Sequence, residues 1–204
     1  MAGVEPSRSA AGVVVHWLPL GAGGHVVRWN GALYEMVQAR REKRVAAALY
    51  HSALEIVVDG NRYVIEMAPV WATRTADRGV VLEGPVGLRW LGRFVAFRYE
   101  IRRWRDGSIP DLAEAVDSLR LVDEDAARVQ HLFELVPQAP PLTWGRDELR
   151  TGEMWNSNSL IAWLLARSGH DMSIIRPPSA GRAPGWRAGL ILASRQLRVD
   201  AHTP

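Results

Sequence analysis

The sequence predicts an α+β domain in which a mostly antiparallel sheet packs against helices. Three observations predict it. Asp59-Gly60 stands between two β-rich runs, which is a strong hairpin signal. From Phe94 to Trp104, apolar Val95, Phe97, Tyr99 and Ile101 alternate with charged Arg98, Glu100 and Arg102, as in a strand with one wet face. Residues 154–169 read as one helix with both ends marked. The 204 residues suit a single domain spanning 1–204, with 1–11 and 196–204 as disordered tails.

The bulk composition narrows the chemistry. Net charge is +3, carried mostly by arginine, which is too mild to point to nucleic acid. There are no cysteines, which excludes disulfides, thiolate metal sites and a cysteine nucleophile. No apolar run approaches the roughly 20 residues that span a bilayer. With no secretion signal at the N-terminus either, a cytoplasmic protein without a transmembrane segment is expected. The six histidines lack the spacing and acidic company of a metal site, so neither metal nor cofactor is expected. Tryptophan is the unusual residue, at nine copies. An indole offers a large apolar face and one donor, so several could line a cleft.

In chain order, residues 12–19 form a first strand. The glycine-rich Gly21–Gly24 stretch that follows fails as a nucleotide loop: Val26 stands where the third glycine belongs, and no Gly-Lys-Ser/Thr appears. Asn30 caps a helix at 31–46 whose exposed face carries a run of arginine, lysine and glutamate. The hairpin then occupies 49–69. If Asp59-Gly60 is a two-residue turn, Ala53 faces Glu66, and Glu66 shares a sheet face with His51 and Glu55. A one-residue slip would turn Glu66 away. Residues 72–78 are a polar loop and 80–82 a short strand. A helical turn runs from 110 to 116, and Asp123 caps a helix at 124–136 with Val129, Leu132, Phe133 and Val136 inward. The proline-rich segment 138–145 is extended. Beyond the marked helix, 176–184 is a loop fit to be a rim or lid, and 188–193 is a final strand.

The marked helix has an apolar stripe of Leu160, Ile161, Leu164 and Leu165. Asn156 or Asn158 can cap its start, and Gly169 can close its end. Ser157 falls on the stripe, at the positive end of the helix dipole. It is either a satisfied structural serine or a nucleophile aimed at a partner element.

His-Ser-Ala-Leu-Glu-Ile at 51–56, ahead of a hairpin, and Asn-Ser-Asn-Ser-Leu-Ile at 156–161, opening a helix, together resemble the circularly permuted papain-like hydrolases. Those include the NlpC-type amidases and the lecithin retinol acyltransferase-like proteins. The Asn-Ser-Asn-Ser run is also similar to a signature of bacterial proteins. The resemblance covers 49–69 and 154–169 directly. It implies His51 as general base, Ser157 in the place of the nucleophilic cysteine, and Glu66 as the group that orients the base, with Glu55 the alternative acid. Asn156, Asn158, Ser159 and Trp155 would line the oxyanion and binding site, and Ser159 is the alternative nucleophile. A cleft lined by some of Trp71, Trp144 and Trp155 would take a small-molecule, peptide or acyl substrate.

Serine for cysteine is the departure. A thiol is partly thiolate at neutral pH, whereas a hydroxyl must lose its proton to a base during attack. The resemblance therefore implies one of two activities. One is an amidase, esterase or acyltransferase working through a Ser-His-acid arrangement. The other is an inactive member of the fold that binds a peptide, glycan or lipid.

Overall fold

The computed structural model describes residues 11–20, 47–72, 76–109, 112–121, 125–179 and 181–202. Its main sheet has six antiparallel strands in the order β4-β5-β3-β2-β1-β6. The strands are β1 (Gly12–Pro19), β2 (Ala48–Val58), β3 (Asn61–Pro69), β4 (Val80–Pro85), β5 (Arg98–Arg105) and β6 (Val116–Leu121). A two-residue β7 (Gly181–Arg182) runs parallel to the start of β2. Three α-helices lie among the described residues: α1 (Ala126–Leu135), α2 (Ser157–Arg167) and α3 (Trp186–Asp200). The expected α+β class and its mostly antiparallel sheet are therefore observed. The glycine-rich stretch and the helix expected at 31–46 lie outside the described residues.

The β2–β3 hairpin fixes the register of the centre. Asp59 and Gly60 both have positive φ, 50° and 75°, the geometry of a type I′ turn whose twist matches the strands. Val58 faces Asn61 and Leu54 faces Ile65, so Ala53 comes opposite Glu66 as the two-residue turn predicted.

The sheet has two unlike faces. Val13, Val15 and Trp17 of β1, Tyr50, Leu54, Ile56 and Val58 of β2, Ile65 and Met67 of β3, and Tyr99 and Ile101 of β5 join one large core with the helices. Leu18, Ala53, Val64 and Ile109 form a small second cluster on the other face.

Helix α2 is the hub of the large core. Every residue from Ser157 to Leu165 is buried, so it has no wet face at all. Asn156 caps its start in a capping box: its side chain accepts from the Ser159 amide, and the Ser159 hydroxyl accepts from the Asn156 amide. Gly169, at φ 85°, closes the end, with the His170 N–H on the Leu165 carbonyl and the Gly169 N–H on the Ala166 carbonyl. That is a Schellman arrangement, which satisfies the last carbonyls of the helix.

Five expectations are corrected. Residues 188–193 are helix, not strand, and α3 continues to Asp200, so the helix occupies part of the expected 196–204 tail. A short apolar run has no periodicity of its own. Here Ala188, Gly189, Leu192 and Ala193 form a narrow buried face that lies against α2. A β-carbon on Gly189 would come 2.1 Å from the Ser159 carbonyl oxygen, so only hydrogen fits there. The strand expected from Phe94 begins at Arg98, because 89–93 and 95–97 form 3-10 turns. Its charged face is dry, with Glu100 and Arg102 fully buried. Finally, Asp125 rather than Asp123 caps α1, accepting from the Ala127 amide; Asp123 itself is outside the described residues. Strand β6 was not read from the sequence, although Leu119 and Leu121 carry its alternation; its pairing partner β1 lies about a hundred residues away.

Candidate functional site

The N-terminus of α2 meets β2 through Asn158. The Ser52 hydroxyl donates to Asn158 Oδ1 at 2.9 Å, and Asn158 Nδ2 donates to the carbonyls of Tyr50 and Pro184, each at 2.9 Å. These bonds join three segments far apart in sequence and leave both ends of the amide satisfied. They also decide which side chains of β2 face the helix. Successive residues of a strand point to opposite faces, so Tyr50, Ser52 and Leu54 face α2. His51 projects on the far face, opposite Leu18, whose side chain belongs to the small second cluster.

The structure therefore does not bring the expected catalytic groups together. Ser157 sits at the first position of α2 on the large-core side, buried. His51 and Glu66 share the other side of the sheet, as the hairpin register predicted. The hairpin register is the one that Asp59-Gly60 predicts, and the face of β2 that meets α2 is the one that carries Ser52 rather than His51. The sequence gives no sign of which strand face the helix will meet.

The candidate acids are also engaged elsewhere. Glu66 Oε1 accepts from Arg102 Nη1 at 2.5 Å. Arg102 Nε donates to Glu100 Oε1, and Arg78 holds Glu100 through both Nε and Nη2, at 2.5 and 2.7 Å. Burial pushes the Glu66 carboxyl up, against the opposing pull of Arg102. Glu55 is paired with Arg62 Nη2 at 2.7 Å.

The residues expected to bind an oxyanion serve as structural caps. Asn156 accepts from the Ser159 amide at 3.2 Å and donates to the Pro184 carbonyl at 2.8 Å. The Ser159 hydroxyl donates to the Met154 carbonyl at 3.0 Å. The 176–184 loop, expected as a rim, ends directly on the start of α2. Its Pro184 carbonyl takes both asparagine side chains, and Gly185, at φ 91°, donates its amide to Glu153 Oε2 at 3.0 Å. A β-carbon on Gly185 would lie 2.4 Å from Asn156 Oδ1, so the loop presses on the cap. The Ser157 hydroxyl has no hydrogen-bond partner among the described residues.

The three tryptophans expected in one cleft separate. Trp155 is buried. Trp144 is half-buried, bridged to Val86 and Trp155, and edge-on to Tyr99 with ring centres 5.9 Å apart. Trp71 is 59% exposed.

Sequence reasoning missed a different region. A cavity of about 370 Å³ opens between the turn at 87–89 and the 143–148 loop, lined by Leu88, Arg89, Thr143, Arg146, Asp147 and Glu148 among others. None of Ser157, His51 or Glu66 lines it. Its carboxylates already have donors. Glu148 accepts from the Thr143 amide and hydroxyl. Asp147 accepts from the amides of Thr151 and Gly152. Those bonds outweigh the upward push of burial and hold the Asp147 carboxyl below the usual range. Arg146 Nε donates to the Gly87 carbonyl at 2.6 Å. Beside this cavity, Trp90, Phe94, Val95 and Phe97 stand 42–58% exposed on the two 3-10 turns. The signal in the sequence is the run Arg89-Trp90-Leu91-Gly92-Arg93-Phe94, whose last residue also opens the expected strand.

No family model, curated protein or solved structure matches this chain. The likeness to permuted papain-like hydrolases thus rests on the short segments at 49–69 and 154–169. No group of His, Asp or Glu among the described residues could hold a metal ion.

Proposed function

We propose that this chain is a non-catalytic binding module for a peptide, glycan or lipid rather than an acyl-enzyme hydrolase. The Ser52–Asn158 hydrogen bond carries this reading, because it fixes the face of β2 that meets the helix. A serine hydroxyl needs a general base within hydrogen-bond reach, directly or through one water. Ser157 is on the helix side of the sheet, whereas alternation along β2 assigns His51 to the opposite face. The cavity at 87–89 and 143–148 supports a binding role, since its carboxylates already have donors and Arg89, Arg146, Asp147 and Glu148 give it a mixed polar lining.

One observation favours the hydrolase reading. Ser157 begins a long, buried helix, and its hydroxyl is not tied to a neighbour among the described residues. A fluorophosphonate probe separates the two. The binding-module reading expects no labelling that depends on Ser157, and equal behaviour of wild type and Ser157→Ala. Labelling of wild type that vanishes in Ser157→Ala and falls sharply in His51→Ala would establish the hydrolase instead.

A further inference from the structure

We infer that the turns between β4 and β5, together with Trp71, form a docking surface for an anionic lipid membrane. The inference rests on the binding-module reading and names its partner.

The surface is apolar where a folded protein should be polar. Trp71, Trp90, Phe94, Val95 and Phe97 are 42–59% exposed, and Leu88 is 38% exposed. A contiguous group of large exposed apolar side chains marks an interaction site. These side chains are held out by an ordered frame. Phe94 N–H bonds to Leu91 O, Phe97 N–H to Phe94 O, and Val86 N–H to Phe97 O, each at 2.8–2.9 Å. A β-carbon on Gly92 would lie 2.9 Å from Pro85 Cβ, so the turn at 89–93 packs closely on the end of β4. The backbone that carries the aromatic side chains is therefore ordered.

Charge selects the occupant. Residues 84–99 contain Arg89, Arg93 and Arg98 and no Asp or Glu. The Arg93 guanidinium lies over both Trp90 and Phe94, 5.2 and 4.8 Å from the ring centres. Arg98 Nε donates to the Gly92 carbonyl at 2.6 Å, and the same side chain reaches Glu83 at 3.2 Å. Indole and phenyl rings flanked by guanidinium groups suit the headgroup layer: the rings enter the acyl boundary while the cations stay at the phosphates. Basic residues near an anionic surface add attraction that falls off within a Debye length. Arg98 is already paired with Glu83, but a partner with a purely apolar face would leave Arg89 and Arg93, which flank the rings, without a counter-charge. No described helix is long and apolar enough to cross a membrane.

The test is sedimentation of the full chain with unilamellar vesicles of phosphatidylcholine and phosphatidylglycerol at 7:3, against phosphatidylcholine alone. Binding to the anionic vesicles is expected, with loss in 1 M NaCl, because exposed charges are then screened. Trp90→Ser/Phe94→Ser and Arg89→Gln/Arg93→Gln should each weaken partitioning by about tenfold or more. Both variants change exposed side chains, so their thermal midpoints should match wild type. Quenching of tryptophan emission by brominated lipid should fall in Trp90→Phe. Three results would overturn the proposal: no sedimentation with anionic vesicles, binding that the ledge variants leave unchanged, or equal binding to neutral vesicles. A concentration-dependent dimer abolished by Trp90→Ser/Phe94→Ser, without vesicle binding, would assign the surface to a second copy of this chain instead. Probe labelling at Ser157 would refute the binding-module reading but leave the vesicle result intact, so the two failures are distinguishable.

Discussion

Asn158 and Ser157 are neighbours on one helix turn with opposite roles. Asn158 cross-links β2, α2 and the end of the 176–184 loop through three hydrogen bonds. Asn158→Leu would strand the Ser52 hydroxyl and the Tyr50 carbonyl, while the Pro184 carbonyl keeps its bond from Asn156, at roughly 1–3 kcal/mol for each uncompensated group. We expect urea denaturation to show a loss of about 3 kcal/mol. Ser157→Ala removes a hydroxyl with no partner among the described residues, so its effect should stay within about 0.5 kcal/mol. A larger loss in Ser157→Ala than in Asn158→Leu would mean that the two residues had exchanged roles.

His16 makes a second residue-scale prediction. It lies on the face opposite α2, with Nδ1 3.0 Å from Ser118 Oγ. Burial lowers its pKa below 6.5, Glu55 opposes the shift and Arg62 adds to it. Below pH 6.5 the unfolded chain therefore binds a proton that the folded chain resists. Stability from this group is complete above pH 6.5 and falls as pH drops from there through the depressed folded value. The stability difference between pH 7.5 and 5.5 should be smaller in His16→Gln than in wild type, measured by denaturant unfolding at both pH values. Equal differences would remove His16 from the pH response.

At the scale of elements, the contact between α2 and α3 depends on small residues. Gly189 has the Ser159 carbonyl where its β-carbon would be, and Trp163 Nε1 donates to Gln196 Oε1 at 2.6 Å further along the same pair. On an isolated helix, Gly→Ala would stabilise by about 1 kcal/mol. Here the helices must separate, and overpacking of a close contact costs about 1–3 kcal/mol. Gly189→Ala should therefore lower the thermal midpoint, against its helix propensity, and Gly189→Leu should lower it further. A rise in the Gly189→Ala midpoint would show that the helices can move apart freely.

Strand β5 carries the other element-scale device. Arg102 lies between Glu66 and Glu100 with almost no exposure, and Arg78 closes the far side of Glu100. Removing one partner of a buried ionic group costs about 3–5 kcal/mol, because the remaining charges lose their compensation. Arg102→Met should fall in that range by urea denaturation. A loss below about 1 kcal/mol would mean that water reaches the two carboxylates.

For the whole molecule, the sheet is a partition. Its helix side holds the large core and the start of α2, while its other side holds His16, His51, Glu66 and the ionic group around Arg102. The ledge of aromatic side chains sits at the β4–β5 end, apart from both. Ser157 therefore lies on the core side of the sheet, whereas the large exposed aromatic side chains lie at the β4–β5 end.

The sequence by itself determined the hairpin register, because Asp59-Gly60 prescribes a local turn and the side-chain period of two then carries Glu66 to the face of His51. It determined both ends of α2, since Asn156 and Gly169 act on their own backbone neighbours. It also supplied the α+β class through local periodicity. Only the tertiary structure decided that α2 docks on the Ser52 face, that Glu100 and Arg102 are dry, and that 188–193 is helical. Each of these depends on a partner far along the chain: burial is settled by what covers a surface, and an apolar run such as Ala188–Ala193 takes the form that its neighbour can accommodate.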